Sequence, residues 1–311
     1  MHRFKSILLV HSQKKGSEAT LSRAMSLAKR NRAHLTVVDV VEDSHLSLPM
    51  PTPVLTPQDL RSRLIKERRE DLKRFFAPSR QEGVQLRVKV RVGVPFIEII
   101  REVIRKEHDL VMTTAEGRFG VKRRLFGSLS LHLMRKCPCP VWVVKPERRT
   151  RCARILAAVD PDSSNEEKDR LSRTIMDLAT SLAALEQSVL HVVHAWSLWQ
   201  EPVLESHGRS PVVTDEMAHE TRTARKRELT ELLAAYSSTD LYCHVHLIKG
   251  DPADTIARLA ERVRVDLIVM GTVSRTGLAG MFIGSTAEDL LQQVNCSVLG
   301  LKPVRFESPV R

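Results

Sequence analysis

The chain has 311 residues, 42% of them hydrophobic, and a formal net charge of +12. That length can bury a sizeable core and suggests two domains. Apolar runs as short as "ILLV" at 7–10 exclude a membrane-spanning helix and are too brief for a secretory signal.

The charge is uneven. Residues 1–150 hold 31 Lys and Arg against 15 Asp and Glu, a net of +16, whereas residues 151–311 hold 18 against 22, a net of −4. Much of the basic excess lies in "RSRLIKERREDLKR" (61–74), which reads as a solvated helix face. Few aromatics and no nucleic-acid-binding motif argue against sequence-specific nucleic-acid recognition. The five cysteines (Cys137, Cys139, Cys152, Cys243 and Cys296) are odd in number and form no CxxC. Free thiols in a reducing, cytoplasmic setting are the expectation.

Taken in chain order, a strand at 7–10 leads through a polar loop to a helix over about 18–31. A second strand follows at 34–41, then an irregular Pro-rich segment and a long charged helix over about 57–77. The segment 44–60 reads as a loop over the sheet edge, or a lid on an apolar cavity. A third strand (84–93) ends in Gly93 and precedes a helix opened by Pro95, whose missing N–H costs nothing in a first turn. A fourth strand at 109–114, a basic loop, a helix from Ser128 and a fifth strand at 140–144 complete the series. The same series then recurs: strands at 155–159, 188–196, 241–250, 266–271 and 297–301, with helices near 165–184 and 213–236, from Pro252 and from Ser285.

A constant offset of 157 residues relates the two series over a long stretch. It takes Gly93 to Gly250, Pro95 to Pro252, Asp109 to Asp266, Gly127 to Gly284, Ser128 to Ser285 and Cys139 to Cys296. The repeating unit is a whole domain, too long for a solenoid repeat. Strands alternating with helices imply right-handed crossovers. The expected fold is α/β: two tandem Rossmann-like domains, 1–148 and 153–311, each a five-stranded doubly wound parallel sheet. Ligands in such sheets sit beyond the carboxyl ends of the strands.

At that edge lies "IVMGTVSRTGLAGMFIGSTAEDLL" (268–291). Glycines in a strand-to-helix turn let backbone N–H groups approach an anion, and the helix start adds its dipole. There is no GxxxxGK[ST] and no GxGxxG after the first strand, so neither a Walker loop nor a dinucleotide fingerprint is present. By spacing alone, the glycines fit a packing role as well as a binding one.

The stretches "ILAAVDPDS" (155–163), "GDPADTI" (250–256), "DLIVMGTVSRTG" (266–277) and "GSTAEDLLQQVNCSVLGLKP" (284–303) resemble the universal stress protein family, as do "GVPFIEII" (93–100) and "FGSLSLHLMRKCPCPVWVVKP" (126–146). The resemblance spans nearly the whole chain, twice, and is greatest to the tandem, E-type members. It implies a Rossmann-like fold, dimer-like pairing of domains, and in some members ATP binding through G-x2-G-x9-G-[S/T] with an Asp after the first strand. On that pattern the second half reads Gly271-x2-Ser274-x9-Gly284-Ser285 with Asp160. The implied nucleotide-binding residues are Ala158, Asp160, Met270, Gly271, Ser274, Gly284, Ser285 and Thr286. The first half reads Thr114-x2-Gly117-x9-Gly127-Ser128, and its Asp position falls at His11 or Ser12. That copy is degenerate. Its loop instead offers cations: Gly117, Arg118, Lys122, Arg123, Arg124, Gly127 and Ser128 form a candidate anion site beside a helix start.

The function expected from the resemblance is a cytoplasmic stress-response protein binding a small-molecule ligand, ATP or another adenine nucleotide with Mg, in the second domain. The alternative is an interaction scaffold, or a carrier of an anionic or apolar metabolite. Catalysis is expected to be absent or limited to slow ATP hydrolysis, since no Ser-His-Asp or Cys-His set can be assembled. The domains are expected to pair within the chain, with a homodimer as a further option. His244 and His246 share a strand face without an evident third metal ligand, and His191 and His194 face opposite ways. Cys137, Cys139 and Cys296 are read as small buried residues before the fifth strands.

Overall fold

Short, almost wholly apolar runs form the central strands, as parallel strands covered on both faces require. The outermost strands instead alternate apolar with basic or His residues, as in "LRVKVRV" (86–92) and "CHVHLIK" (243–249). The computed structural model describes residues 4–12, 17–42, 57–77, 83–115, 126–146, 151–197, 211–237, 241–272 and 283–311. They group into two compact units, 4–146 with 306–311 and 152–272 with 283–305. The last residues thus belong with the first unit although they follow the second repeat. There, Arg101 Nε donates to the Arg311 carbonyl at 2.9 Å and Ser308 Oγ donates to the Lys136 carbonyl at 2.8 Å.

The first unit runs β1 (Ser6–Val10), α1 (Ser17–Asn31), β2 (His34–Val41), α2 (Pro57–Phe75), β3 (Leu86–Val92), α3 (Pro95–Lys106), β4 (Leu110–Thr114), α4 (Ser128–Lys136) and β5 (Val141–Val144). Its strands are parallel in the order β3-β2-β1-β4-β5. The second unit runs β6 (Arg154–Ala158), α5 (Glu166–Glu186), β7 (Val189–Trp196), α6 (Pro211–Ala234), β8 (Cys243–Lys249), α7 (Pro252–Arg262), β9 (Leu267–Gly271), α8 (Ser285–Gln293) and β10 (Ser297–Leu301). Its order is β8-β7-β6-β9-β10, again parallel. Each sheet is doubly wound, with the switch between β1 and β4 or between β6 and β9. The Pro-rich segment lies outside the described residues up to Pro57, where α2 begins.

The duplicated residues have duplicated duties. Asp109 accepts from the backbone N–H of Lys5 (2.5 Å) and Ser6 (3.1 Å), and Asp266 accepts from those of Ala153 (2.7 Å) and Arg154 (2.9 Å). Each carboxylate ties the start of its fourth strand to that of its first. Asp266→Ala should therefore cost about 1–3 kcal/mol, read as a lower urea midpoint of the full chain; an unchanged midpoint would assign those N–H groups to water. Glu107 and Arg264 end the twin helices α3 and α7 with φ of +50° and +53°, a left-handed turn made without glycine.

One pair of positions differs in kind. Glu102 on α3 is fully buried and accepts from Arg91 on β3 at 2.6 Å, with Arg105 also on the same carboxylate oxygen. The offset of 157 carries Arg91 to Ile248 and Glu102 to Leu259, and Leu259 is 2% exposed. A buried ion pair in one unit is thus an apolar pair of positions in the other.

Candidate functional site

In the second unit the strand register assembles the site. Ala158 at the end of β6 pairs with Met270 in β9, so Asp160 and Thr272, two residues further along, leave neighbouring strand ends at the carboxyl edge. Asp160 is held from below. Its N–H donates to Ser172 Oγ on α5 at 3.2 Å, and the buried His194 of β7 lies with Nδ1 3.0 Å from the Val159 carbonyl and 3.9 Å from Asp160 Oδ1. Burial keeps His194 below its ordinary pKa, against the opposing pull of the Val159 carbonyl and of Asp160. The Asp160 side chain remains 41% exposed.

Lys168, in the first turn of α5, lies 3.6 Å from Asp160 Oδ2 and 2.9 Å from Asp162 Oδ2. The Ser164 hydroxyl and then Lys168 hold the Asp162 carboxyl down to about 2. Nothing in the linear pattern marked Lys168 except its place three residues after the helix cap Asn165, whose side chain accepts from the Lys168 N–H.

The loop between β9 and α8 is closed at its base, for Gly284 N–H donates to the Thr272 carbonyl at 3.1 Å. Thr272 is fixed in turn by its N–H (3.0 Å) and its hydroxyl (3.2 Å), both donating to the Leu301 carbonyl. Helix α8 starts from Gly284 without a side-chain cap, unlike α5 with Asn165 or α7 with Asp251. Its first intrahelical bond is from Glu288 N–H to the Gly284 carbonyl, so the N–H groups of Ser285, Thr286 and Ala287 have no acceptor within the helix. Gly284 has φ −61° and ψ 143°, torsions open to any residue, so the backbone conformation does not demand glycine there.

The remaining sequence candidates separate. Met270 is buried in the sheet core and Ala158 half-buried. At Gly271 a Cβ would stand 2.8 Å from Leu171 Cδ2; the space this glycine leaves is filled by α5. Ser274 lies outside the described residues, as do Gly117, Arg118, Lys122, Arg123 and Arg124.

In the first unit, His11 N–H bonds to the Val38 carbonyl as Val159 N–H does to that of Val193. This makes His11 the counterpart of Val159 and Ser12 that of Asp160, and the carboxylate is lost. Asp39 takes the place of His194 and forms a 2.6 Å ion pair with Arg68 of α2. Phe75 and Phe76 meet edge to face, and both rings approach the His11 ring at 6.0 and 5.7 Å. Burial foremost lowers the His11 pKa. Gly127 opens α4 without a side-chain cap, and Ser128 is exposed. This edge is furnished with the chain's own ion pair and rings.

Sheet register also brings His191 to the two histidines of β8. His191 Nδ1 is 3.1 Å from His246 Nε2, and the His244 ring stacks on His191 at 5.0 Å. Burial, then His246, His244 and Arg154, push His191 down to about 4. Among the described residues no group of three or more His, Cys, Asp or Glu is arranged to hold a metal ion. No described helix is long and apolar enough to cross a membrane.

The universal stress protein family model matches residues 3–145 and again 152–302. Universal stress protein E of Photorhabdus laumondii is 26% identical over all of this chain and 99% of its own length. Universal stress protein E of Escherichia coli K12 is 26% identical over 100% of this chain and 98% of its own length. Among solved structures, a Pseudomonas aeruginosa PAO1 protein of unknown function superposes with a TM-score of 0.70 at 24% identity, covering 97% of this chain and 93% of that one, which speaks for the fold. Two family matches in sequence, each coinciding with one parallel five-stranded sheet, establish that the chain belongs to the universal stress protein family and carries two of its domains in tandem.

Proposed function

We propose that this chain is a stress-response ligand-binding protein whose second unit takes an adenine nucleotide at the carboxyl edge of its sheet. The observation that carries the reading is the pairing of an exposed Asp160 carboxylate with the uncapped start of α8 on the adjacent strand end. A carboxylate accepts from ribose or adenine donors, and helix-start N–H groups that lack an intrahelical acceptor, with the helix dipole, favour phosphate. The donor set at Gly284, Ser285 and Thr286 fits an anion, and Lys168, paired with Asp160 and Asp162, offers a cation next to the carboxylate. Mg would accompany the phosphates. The first unit, with Ser12 in place of Asp160 and the Asp39–Arg68 pair at the same edge, is assigned no nucleotide.

Thermal unfolding with and without Mg-ATP tests the reading. Saturation at 100 times Kd adds about 2.7 kcal/mol to the unit that binds, so the transition of the second unit should rise. Gly284→Val should abolish the rise by placing branched bulk before the α8 N–H groups. A rise that survives in a folded Gly284→Val protein would place the phosphates elsewhere.

A further inference from the structure

We propose that Cys137 and Cys139 are a reversible oxidation site, closing to an intramolecular disulfide when a hydroperoxide reaches the turn between α4 and β5. The sulfurs stand 3.6 Å apart. Cys137 N–H closes the last turn of α4 on the Leu133 carbonyl, and its φ of −72° and ψ of 132° are the extended torsions that a residue before proline adopts. Pro138 then turns the chain so that both side chains meet. A bond of about 2.05 Å asks the sulfurs to approach each other by roughly 1.5 Å.

The duplicated unit shows that the second thiol is not demanded by packing. The offset of 157 carries Cys139 to Cys296 but Cys137 to Val294, and Val294 and Cys137 are both buried. A small apolar group suffices at that place, yet the first unit puts a sulfur there, in contact with the other. The two thiols also differ in access, for Cys137 is fully buried whereas Cys139 is partly exposed.

That difference assigns the steps. The Cys139 thiolate attacks the outer oxygen of the hydroperoxide; an S–O bond forms, the O–O bond breaks, and the leaving alkoxide takes a proton to become an alcohol. Cys137 Sγ then attacks the Cys139 sulfenic sulfur; the S–S bond forms and hydroxide leaves, taking the Cys137 proton to become water. Two thiols are oxidised by two electrons and one hydroperoxide is reduced. The hydrogen bond with Cys137, then burial, with Asp109 adding its charge, raise the Cys139 pKa well above the ordinary thiol value. A raised thiol pKa slows attack on a peroxide, so the oxidation expected here is slow.

Full-length reduced protein treated with hydrogen peroxide and digested under acid gives the test. The peptide containing both residues should lose two hydrogens, and dithiothreitol should restore it. Cys137→Val, which copies the second unit, should abolish that loss and leave Cys139 to be captured by dimedone; Cys139→Ser should give neither product. Should Cys137→Val fail to fold, Cys137→Ala carries the same expectation. A wild-type peptide that stays reduced or passes straight to sulfinic acid would overturn the proposal, as would a Cys137 variant that oxidises like wild type.

Discussion

Arg91→Ile is expected to destabilise the first unit by about 3 kcal/mol. Glu102 is fully buried, and its carboxylate relies on Arg91 from the neighbouring strand and on Arg105 one turn along its own helix. Removing Arg91 takes away the better-shielded partner (27% exposed, against 50% for Arg105) and leaves a largely uncompensated charge in the core. The double variant Arg91→Ile with Glu102→Leu should recover the loss or exceed wild type, because a well-packed apolar pair avoids the desolvation of both ions. The second unit already carries that pair at Ile248 and Leu259. Urea unfolding of the full chain decides it. A single variant as stable as wild type would mean that Arg105 alone satisfies Glu102, and a double variant no better than the single would mean that the apolar pair does not fill the space.

Gly250→Ala should cost about 2–4 kcal/mol, from backbone strain and overpacking together. Gly250 has φ +143° where β8 turns into α7, torsions that a side chain rarely adopts, and a Cβ there would stand 2.8 Å from Thr255 Oγ1. Thr255 is buried on the first turn of α7, so making room requires its hydroxyl to change rotamer inside a packed site or the helix to shift. Gly93 repeats the torsion at +144°, with Glu98 Cγ at 3.1 Å from the position of the absent Cβ. Glu98 is a longer and more adaptable chain, so Gly93→Ala should cost less. Equal and small losses at both sites would show that the turn relaxes freely. The comparison of the two unfolding midpoints distinguishes these outcomes.

Much of the fold is legible in the sequence. Apolar strands alternate with helices, and a constant offset ties Gly93, Pro95 and Asp109 to their twins, so the doubled parallel fold follows from pattern. Asp160 and Gly284 could be placed because both directly follow or precede an element. What the pattern could not carry was everything that depends on α5 crossing the sheet. Lys168 meets Asp160, and Leu171 fills the space at Gly271, only because that helix passes above the strand ends. Strand register likewise brings His191 to His246 across 55 positions of sequence. The same register decides between His11 and Ser12, making Ser12 the counterpart of Asp160.

Calorimetric titration of the full-length chain with Mg-ATP tests the central claim most directly. One nucleotide should bind per chain, Asp160→Ala should weaken it at least tenfold, equivalent to about 1.4 kcal/mol, and Ser12→Ala should leave it unchanged. Two equivalent sites, or an affinity untouched in a folded Asp160→Ala protein, would contradict the assignment of the ligand to the second unit.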